Sequence, residues 1–130
     1  MYRIITIRVD GSQVHADVSK VPHWTELKNS VGGYIQIVPS FSTYEYCGYK
    51  YQRGTVYCDE EGKLKGYAVN RKATEAWYKA HGSRHNDCLV GDIVLIFKLG
   101  GVNKPAADEP MRFHPLSIGA VLAHKHKVVL

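Results

Sequence analysis

The sequence predicts an α+β fold, in which a mostly antiparallel β-sheet carries two short helices. Short segments rich in β-branched residues alternate with turn residues along most of the chain. Only two runs, residues 21–30 and 71–81, combine helical apolar spacing with capping residues. The uninterrupted apolar series within residues 92–98 predicts the most buried strand, near the centre of the sheet. Because 130 residues suffice for one ordinary hydrophobic core, residues 1–130 are expected to form a single domain.

The N-terminal third is predicted to contain three strands and the first helix. Residues 2–10 alternate imperfectly and predict a strand with one buried face, and residues 13–18 return as a second strand after a Gly-containing turn. The first helix begins near Pro22 and ends at Gly32 or Gly33. Its apolar stripe is formed by Trp24, Leu27 and Val31. Residues 34–39 then predict a strand that stops at a proline.

A β-hairpin followed by the second helix is predicted for residues 55–82. Residues 55–58 and 63–67 are the two strands, and Gly62 supplies the left-handed residue of the turn between them. Asn70 caps the amides at the start of the helix, and Gly82 ends it. The buried stripe of this helix consists of Ala73, Ala76, Trp77 and Ala80.

The C-terminal segment is ambiguous. Residues 115–130 fit strand alternation from Leu116 onward, although Ile118, Val121 and Leu122 also fit a helix. We expect a strand.

Composition limits the classes of function. The net charge of +5 favours anionic partners without specifying nucleic acid. No apolar run approaches the ~18 residues of a membrane helix, and the N-terminus lacks the apolar block of a signal peptide. Three cysteines are too few for a disulfide scaffold. We therefore expect a cytoplasmic protein with reduced thiols and no contact with a membrane.

A tyrosine-rich segment, residues 41–54, is the best binding candidate. Its tyrosines alternate in two pairs around Gly48, which predicts a second hairpin with the four rings on one face. Rings interleaved with cations suit the stacking of bases beside phosphates, and tyrosine also suits protein interfaces. Packing of the rings within the sheet is the alternative. The candidate binding residues are Tyr44, Tyr46, Tyr49, Lys50, Tyr51 and Arg53.

Three other chemical possibilities are weaker. His81, His85 and Cys88 have a spacing compatible with zinc, but no Cys-x-x-Cys pair accompanies them, so no metal or other cofactor is predicted. Cys88 with His85 could form a nucleophile and base, although a packed, unreactive cysteine is favoured. The carboxylates of residues 59–61 are expected to be solvated on a turn and unsuited to acid–base catalysis. No catalytic residues are predicted.

Several strings together resemble those of a family of small uncharacterised domains carried by bacteriophages, plasmids and their hosts. They are Val31-Gly-Gly-Tyr-Ile35, Cys58-Asp-Glu-Glu-Gly-Lys-Leu-Lys-Gly66, Asn70-Arg-x-Ala-Thr74 and Gly91-Asp-Ile-Val-Leu-Ile96. The resemblance covers about residues 4–99. Residues 41–54 look like an expansion between two of the strings, and residues 102–130 form a divergent extension.

The resemblance implies a mobile-element context but supplies no site residues. Our first hypothesis is a non-enzymatic accessory protein that binds and inhibits a host protein, such as a component of anti-phage defence. The second is a protein that sequesters an anionic nucleotide second messenger, in a homo-oligomer. The third is direct binding of nucleic acid, with an affinity that falls steeply with salt.

Overall fold

The computed structural model describes residues 1–82 and 86–100, and the backbone of residues 104 and 105. The predicted α+β fold is confirmed, and the described residues form two helices and mostly antiparallel strands. The strands are β1 (Tyr2–Ile7), β2 (Gln13–Val18), β3 (Ile35–Ile37), β4 (Tyr44–Tyr46), β5 (Tyr49–Tyr51), β6 (Thr55–Asp59), β7 (Ile93–Lys98) and β8 (Lys104–Pro105). The helices are α1 (Trp24–Val31) and α2 (Arg71–His81). The predicted strand in residues 115–130 lies outside the described residues.

The strands form two sheets. The larger has five strands in the order β2-β1-β7-β6-β3, so β7 lies at its centre, as its uninterrupted apolar sequence predicts. Both neighbours of β7 run antiparallel to it, with Ile5 opposite Leu95 and Val56 opposite Leu95. The smaller sheet consists of β4, β5 and β8. Strand β3 therefore forms one edge of the larger sheet in the described part of the chain.

Each face of the larger sheet buries a separate apolar cluster. On one face, Leu27 and Val31 of α1 pack against Ile4, Val94 and Ile96. On the opposite face lie α2 and the tyrosine-rich hairpin β4–β5, which cover the alternate residues of the same strands. That second cluster includes Ile5, Ile7, Leu95, Phe97, Trp77 and the rings of Tyr44, Tyr46 and Tyr51. A strand buried on both faces needs a continuous apolar sequence, which residues 93–97 supply.

Helix α2 begins and ends at the residues that the sequence predicts, and helix α1 ends at one of the two predicted glycines. Asn70 accepts a hydrogen bond from the amide of Ala73, and Gly82 ends α2 in a left-handed conformation. Gly32 ends α1 in the same conformation. His23 rather than the Pro22 region caps α1, because its ring nitrogen accepts a hydrogen bond from the amide of Thr25.

The predicted return strand over residues 63–67 is wrong. The chain after β6 instead makes a series of tight turns, in which the amides of Lys65, Gly66 and Tyr67 donate to carbonyls only three to five residues earlier. Gly66, and not Gly62, takes the left-handed conformation, with φ of 74°. A Cβ at Gly62 would lie 2.9 Å from a methyl group of Val90, so this glycine permits a close approach between two segments.

Asn70 joins three parts of the fold. Its side-chain amide donates to the carbonyls of Ile7 and Gly91, each at 2.9 Å, while its oxygen caps α2. Its backbone amide donates to the carbonyl of Leu89. This fully buried residue therefore connects the end of β1, the approach to β7 and the start of α2.

No helix in residues 1–82 and 86–100 is long and apolar enough to cross a membrane.

Candidate binding surfaces

The tyrosine-rich segment forms the predicted hairpin, but its rings do not face solvent. Strand pairing places Tyr44 opposite Tyr51 and Tyr46 opposite Tyr49, so the four rings share one face. Tyr44, Tyr46 and Tyr51 are each at most 8% exposed, and only Tyr49 is half-buried. The expectation of an exposed aromatic surface is therefore wrong for three of the four tyrosines. These three rings are instead packed inside the fold, as the alternative interpretation of the segment predicts.

The rings point inward because β1 and β2 need a cover on the face that α2 leaves open. Each hydroxyl of the buried tyrosines has a partner on these strands. Arg3 Nη1 donates to the Tyr51 hydroxyl at 2.8 Å, and Tyr46 is hydrogen-bonded to His15 Nδ1 at 3.0 Å. The Tyr44 hydroxyl donates to the side-chain oxygen of Gln13. Polar partners at these positions make burial of a tyrosine favourable.

The electrostatics of the hairpin agree with a structural role. Burial raises the pKa of Tyr44 to about 12 and raises that of Tyr46 further. Burial also raises the pKa of Tyr51, against the opposing hydrogen bond from Arg3. These phenols stay neutral at physiological pH, as buried hydroxyls in an apolar cluster should.

A basic groove lies between the hairpin and α2. Lys50 is exposed on β5, whereas Arg53 is exposed on the following turn with a positive φ of 57°. The groove has a volume of about 370 Å³ and lies between β4, β5 and α2. Lys79 contacts Glu45 at 3.3 Å across it. This lysine groove is lined by Thr43, Tyr44, Glu45, Lys50, Lys72, Ala76, Lys79 and Ala80. The structure thus joins two predicted binding residues, Tyr44 and Lys50, to two lysines of α2.

A second cavity contains the cysteine and histidine candidates. Cys58, His81 and Cys88 all line a space of about 370 Å³ beside Trp77, whereas His85 lies outside the described residues. Burial, followed by the charge of Asp59, raises the pKa of the Cys58 thiol to about 11, the reverse of what a nucleophile requires. Among residues 1–82 and 86–100, no group of three or more His, Cys, Asp or Glu side chains could hold a metal ion.

Asp59 departs from the prediction that the carboxylates of residues 59–61 are solvated. It is buried, forms an ion pair of 2.8 Å with Lys65, and accepts a hydrogen bond from the amide of Glu61. Lys65 also donates to the carbonyl of Gly32 at 3.1 Å. A Cβ at Gly33 would lie 2.4 Å from the Lys65 ammonium, so the glycine pair after α1 makes room for this contact. The sequence gives no sign of this pairing, because it forms only when α1 meets β6.

Within residues 1–82 and 86–100, two large aromatic side chains that face solvent lie on α1 and before β3. Trp24 is 54% exposed and Tyr34 is 59% exposed. The Lys28 ammonium lies between them, 5.1 Å from the Trp24 ring centroid and 4.4 Å from that of Tyr34. Ile37, three residues further on in β3, is 59% exposed. We call Trp24, Lys28, Tyr34 and Ile37 the α1–β3 surface.

This surface continues into the edge of the larger sheet. The carbonyl of Tyr34 accepts from Glu60, and the amide of Val38 donates to the carbonyl of Val56, so alternate backbone groups of β3 point toward β6. Those of Ile35 and Ile37 therefore point away from β6, at the edge of the sheet in the described part of the chain. Edge strands with apolar side chains and no charge or proline are suited to pairing with another strand.

Sequence reasoning missed the α1–β3 surface because it assigned Trp24 to the buried stripe of α1. Leu27 and Val31 are buried as predicted, but Trp24, the first residue of the helix, is exposed. A signal was present in the spacing of Trp24 and Lys28. Residues four apart lie on one side of a helix, so a lysine beside a tryptophan indicates that this side meets solvent.

No curated protein and no solved structure gives a significant match to this chain. A family model does match, over residues 2–106, and it contains both faces of the larger sheet, the tyrosine-rich hairpin and the α1–β3 surface. The protein therefore belongs to the DUF3846 family of domains of unknown function.

Proposed function

We propose that this protein is a non-enzymatic accessory protein of mobile elements, which binds and inhibits a host protein in the bacterial cytoplasm. The α1–β3 surface replaces the tyrosine-rich hairpin as the site of binding. The observation that carries the proposal is the exposure of Trp24, Tyr34 and Ile37 next to an edge strand. Tryptophan and tyrosine are the residues that most often dominate the energy of protein interfaces.

The geometry of the surface favours a partner that contributes an extended segment. Such a segment can pair with the outward backbone groups of Ile35 and Ile37 and place alternate side chains against the Ile37 side chain. The Lys28 ammonium, held between two rings, would meet a carboxylate of the partner. The net charge of +5 would steer an acidic partner to the protein. The partner that fits this surface is therefore an acidic, extended segment of a host protein.

Capture from host lysate, followed by reconstitution with the purified candidate, tests this proposal. Trp24→Ala removes the largest exposed ring, and Ile37→Lys places a charge on the sheet edge. Leu64→Ala is the matched control, because Leu64 is 88% exposed and lies outside the surface. A captured protein should bind the wild type and the control equally. Trp24→Ala should raise the dissociation constant of the complex about 30-fold, which is the effect of losing an interface hot spot.

Two outcomes would overturn the proposal. Equal binding of the purified partner to all four proteins would show that the α1–β3 surface is not used. A dimer of this chain that Ile37→Lys dissociates, measured by light scattering, would show that a second copy occupies the edge. Thermal unfolding of each variant verifies that the exposed substitutions leave the fold intact.

The lysine groove supports a second candidate function, the sequestration of an anionic nucleotide second messenger. Three lysines and one glutamate line the groove, which gives it an excess of two positive charges. Its volume of about 370 Å³ falls within the range of small-ligand sites. Phosphates of the nucleotide would contact these lysines.

Thermal-shift measurements with a panel of cyclic and linear nucleotides test this candidate. A nucleotide at ~100 times its dissociation constant should stabilise the fold by about 2.7 kcal/mol. The double variant Lys72→Ala with Lys79→Ala should lose the shift, and Lys20→Ala, which lies outside the groove, should keep it. This candidate function is refuted if no nucleotide raises the melting temperature of the wild-type protein. Binding of unrelated oligonucleotides that weakens steeply with salt would indicate nucleic-acid binding instead.

A further inference from the structure

A third cavity is lined partly by the second half of the turn segment that follows β6. It has a volume of about 580 Å³ and is lined by residues 9–10, 65–68 and 91–92. Residues 65–68 and 91–92 meet at its wall, because the amide of Gly91 donates to the carbonyl of Ala68 at 2.9 Å. We call it the Asp92 cavity.

Asp92 contributes a carboxylate oxygen that has no hydrogen-bond partner in the described part of the chain. The residue is 2% exposed, and its Oδ1 accepts from the amide of Val9 at 2.9 Å. Its Oδ2 is buried and unpartnered within residues 1–82 and 86–100. A buried carboxylate oxygen without a donor is costly, so this position favours a ligand that supplies one.

The charged groups around the cavity favour a cation as that donor. Asp10 and Asp92 both line it, whereas the charge of Lys65 is already balanced by Asp59 at 2.8 Å. Arg8 has a buried Nε without a hydrogen-bond partner, yet no ion pair joins it to Asp92 in the described part of the chain. The carboxylate thus lacks a cationic partner from the described residues that line its own cavity.

Tyr67 gives the cavity an aromatic wall. Its ring lies against Gly91, where an added Cβ would come within 2.7 Å of the ring carbon Cδ2. The Lys65 ammonium lies 5.7 Å from the ring centroid, which shows that a cation can approach this ring. An aromatic ring beside a carboxylate is a common way to hold an ammonium or guanidinium group.

We propose that the Asp92 cavity binds an organic cation, whose ammonium or guanidinium group donates to Asp92 Oδ2 and packs beside Tyr67. The cation is either a free small molecule or the lysine or arginine side chain of a partner. Both present the same chemistry to the cavity. This site is separate from the α1–β3 surface, because Trp24, Tyr34 and Ile37 do not line it.

Amide NMR titration of the full chain tests the proposal, with agmatine as the free cation and the blocked peptide Gly-Arg-Gly as the side-chain source. Binding should shift the signals of Gly66 and Gly91. Asp92→Asn keeps an acceptor for the Val9 amide but removes the charge, and should weaken binding about 10- to 100-fold, the effect of losing a hydrogen bond to a charged group. Glu60→Gln is the matched control, since Glu60 does not line this cavity.

The outcomes separate the alternatives. Tighter binding of agmatine than of the peptide indicates a free cation as the ligand, and tighter binding of the peptide indicates a partner side chain. No shift with either probe at about 10 mM, or equal affinity in Asp92→Asn, would overturn the proposal. If Asp92→Asn fails to fold, Tyr67→Leu carries the test and should weaken binding about fivefold. Trp24→Ala should leave agmatine binding unchanged, so this test and that of the proposed function fail independently.

Discussion

Replacement of Asn70 by alanine should destabilise the protein by more than the loss of a helix cap alone would. A cap alone contributes about 1 kcal/mol. Asn70→Ala also leaves the carbonyls of Ile7 and Gly91 without their side-chain donor, in a position that is fully buried. Each such carbonyl costs about 1 to 2 kcal/mol, the lower part of the usual range, because a carbonyl oxygen has a second lone pair that can accept another hydrogen bond. We therefore expect a loss of about 3 to 5 kcal/mol, a large fraction of the stability of an ordinary domain.

Urea unfolding measures this loss, and two further variants separate its parts. With a slope of about 2 kcal/mol per M, the midpoint of Asn70→Ala should fall by about 2 M. Asn70→Asp keeps the acceptor for Ala73 but turns a carboxylate toward the two carbonyls, so it should be at least as unstable as the alanine variant. His23→Ala removes the exposed cap of α1 and should cost no more than about 1 kcal/mol. An Asn70→Asp protein as stable as the wild type would refute the bridging role and leave only the cap.

Two further predictions follow from the pKa shifts. Burial lowers the pKa of His15 and the charge of Arg3 acts in the same direction, so the unfolded chain binds the proton more readily than the folded one. The contribution of neutral His15 to the free energy of unfolding should be fully present above the usual His pKa of about 6.5. It should fall as the pH drops below that value, because the unfolded chain then takes up the proton first. Urea unfolding should show a smaller loss of unfolding free energy between pH 7.5 and pH 5 in His15→Gln than in the wild type. An equal loss in the two proteins would contradict the prediction. For Cys58, a pKa of about 11 against 9.0 for a free thiol predicts iodoacetamide alkylation about 100-fold slower at pH 8, measured by mass spectrometry. Alkylation as fast as in urea would show that the thiol is not buried.

The sequence predicted the elements that depend on local signals. Caps such as Asn70 and Gly82 act within one turn of a helix, and the turn at Gly48 determines the register of the hairpin, so neighbouring residues suffice to identify them. The return strand over residues 63–67 failed because its conformation depends on distant contacts. Lys65 is held by Asp59 and by the carbonyl of Gly32, which is 33 residues away. These contacts stabilise turns where the local pattern favours a strand.

The orientation of the tyrosine rings could not be predicted from neighbouring residues, because it too depends on distant contacts. Alternation shows that Tyr44, Tyr46, Tyr49 and Tyr51 share a face, but it cannot show whether that face meets solvent or another layer. The partners that decide it are His15 on β2, 31 residues before Tyr46, and Arg3 on β1, 48 residues before Tyr51. Once those rings cover β1 and β2, they are no longer available to a partner. Among the described residues, Trp24 and Tyr34 keep their rings largely exposed, and for this reason the proposed protein-binding surface lies there and not on the hairpin.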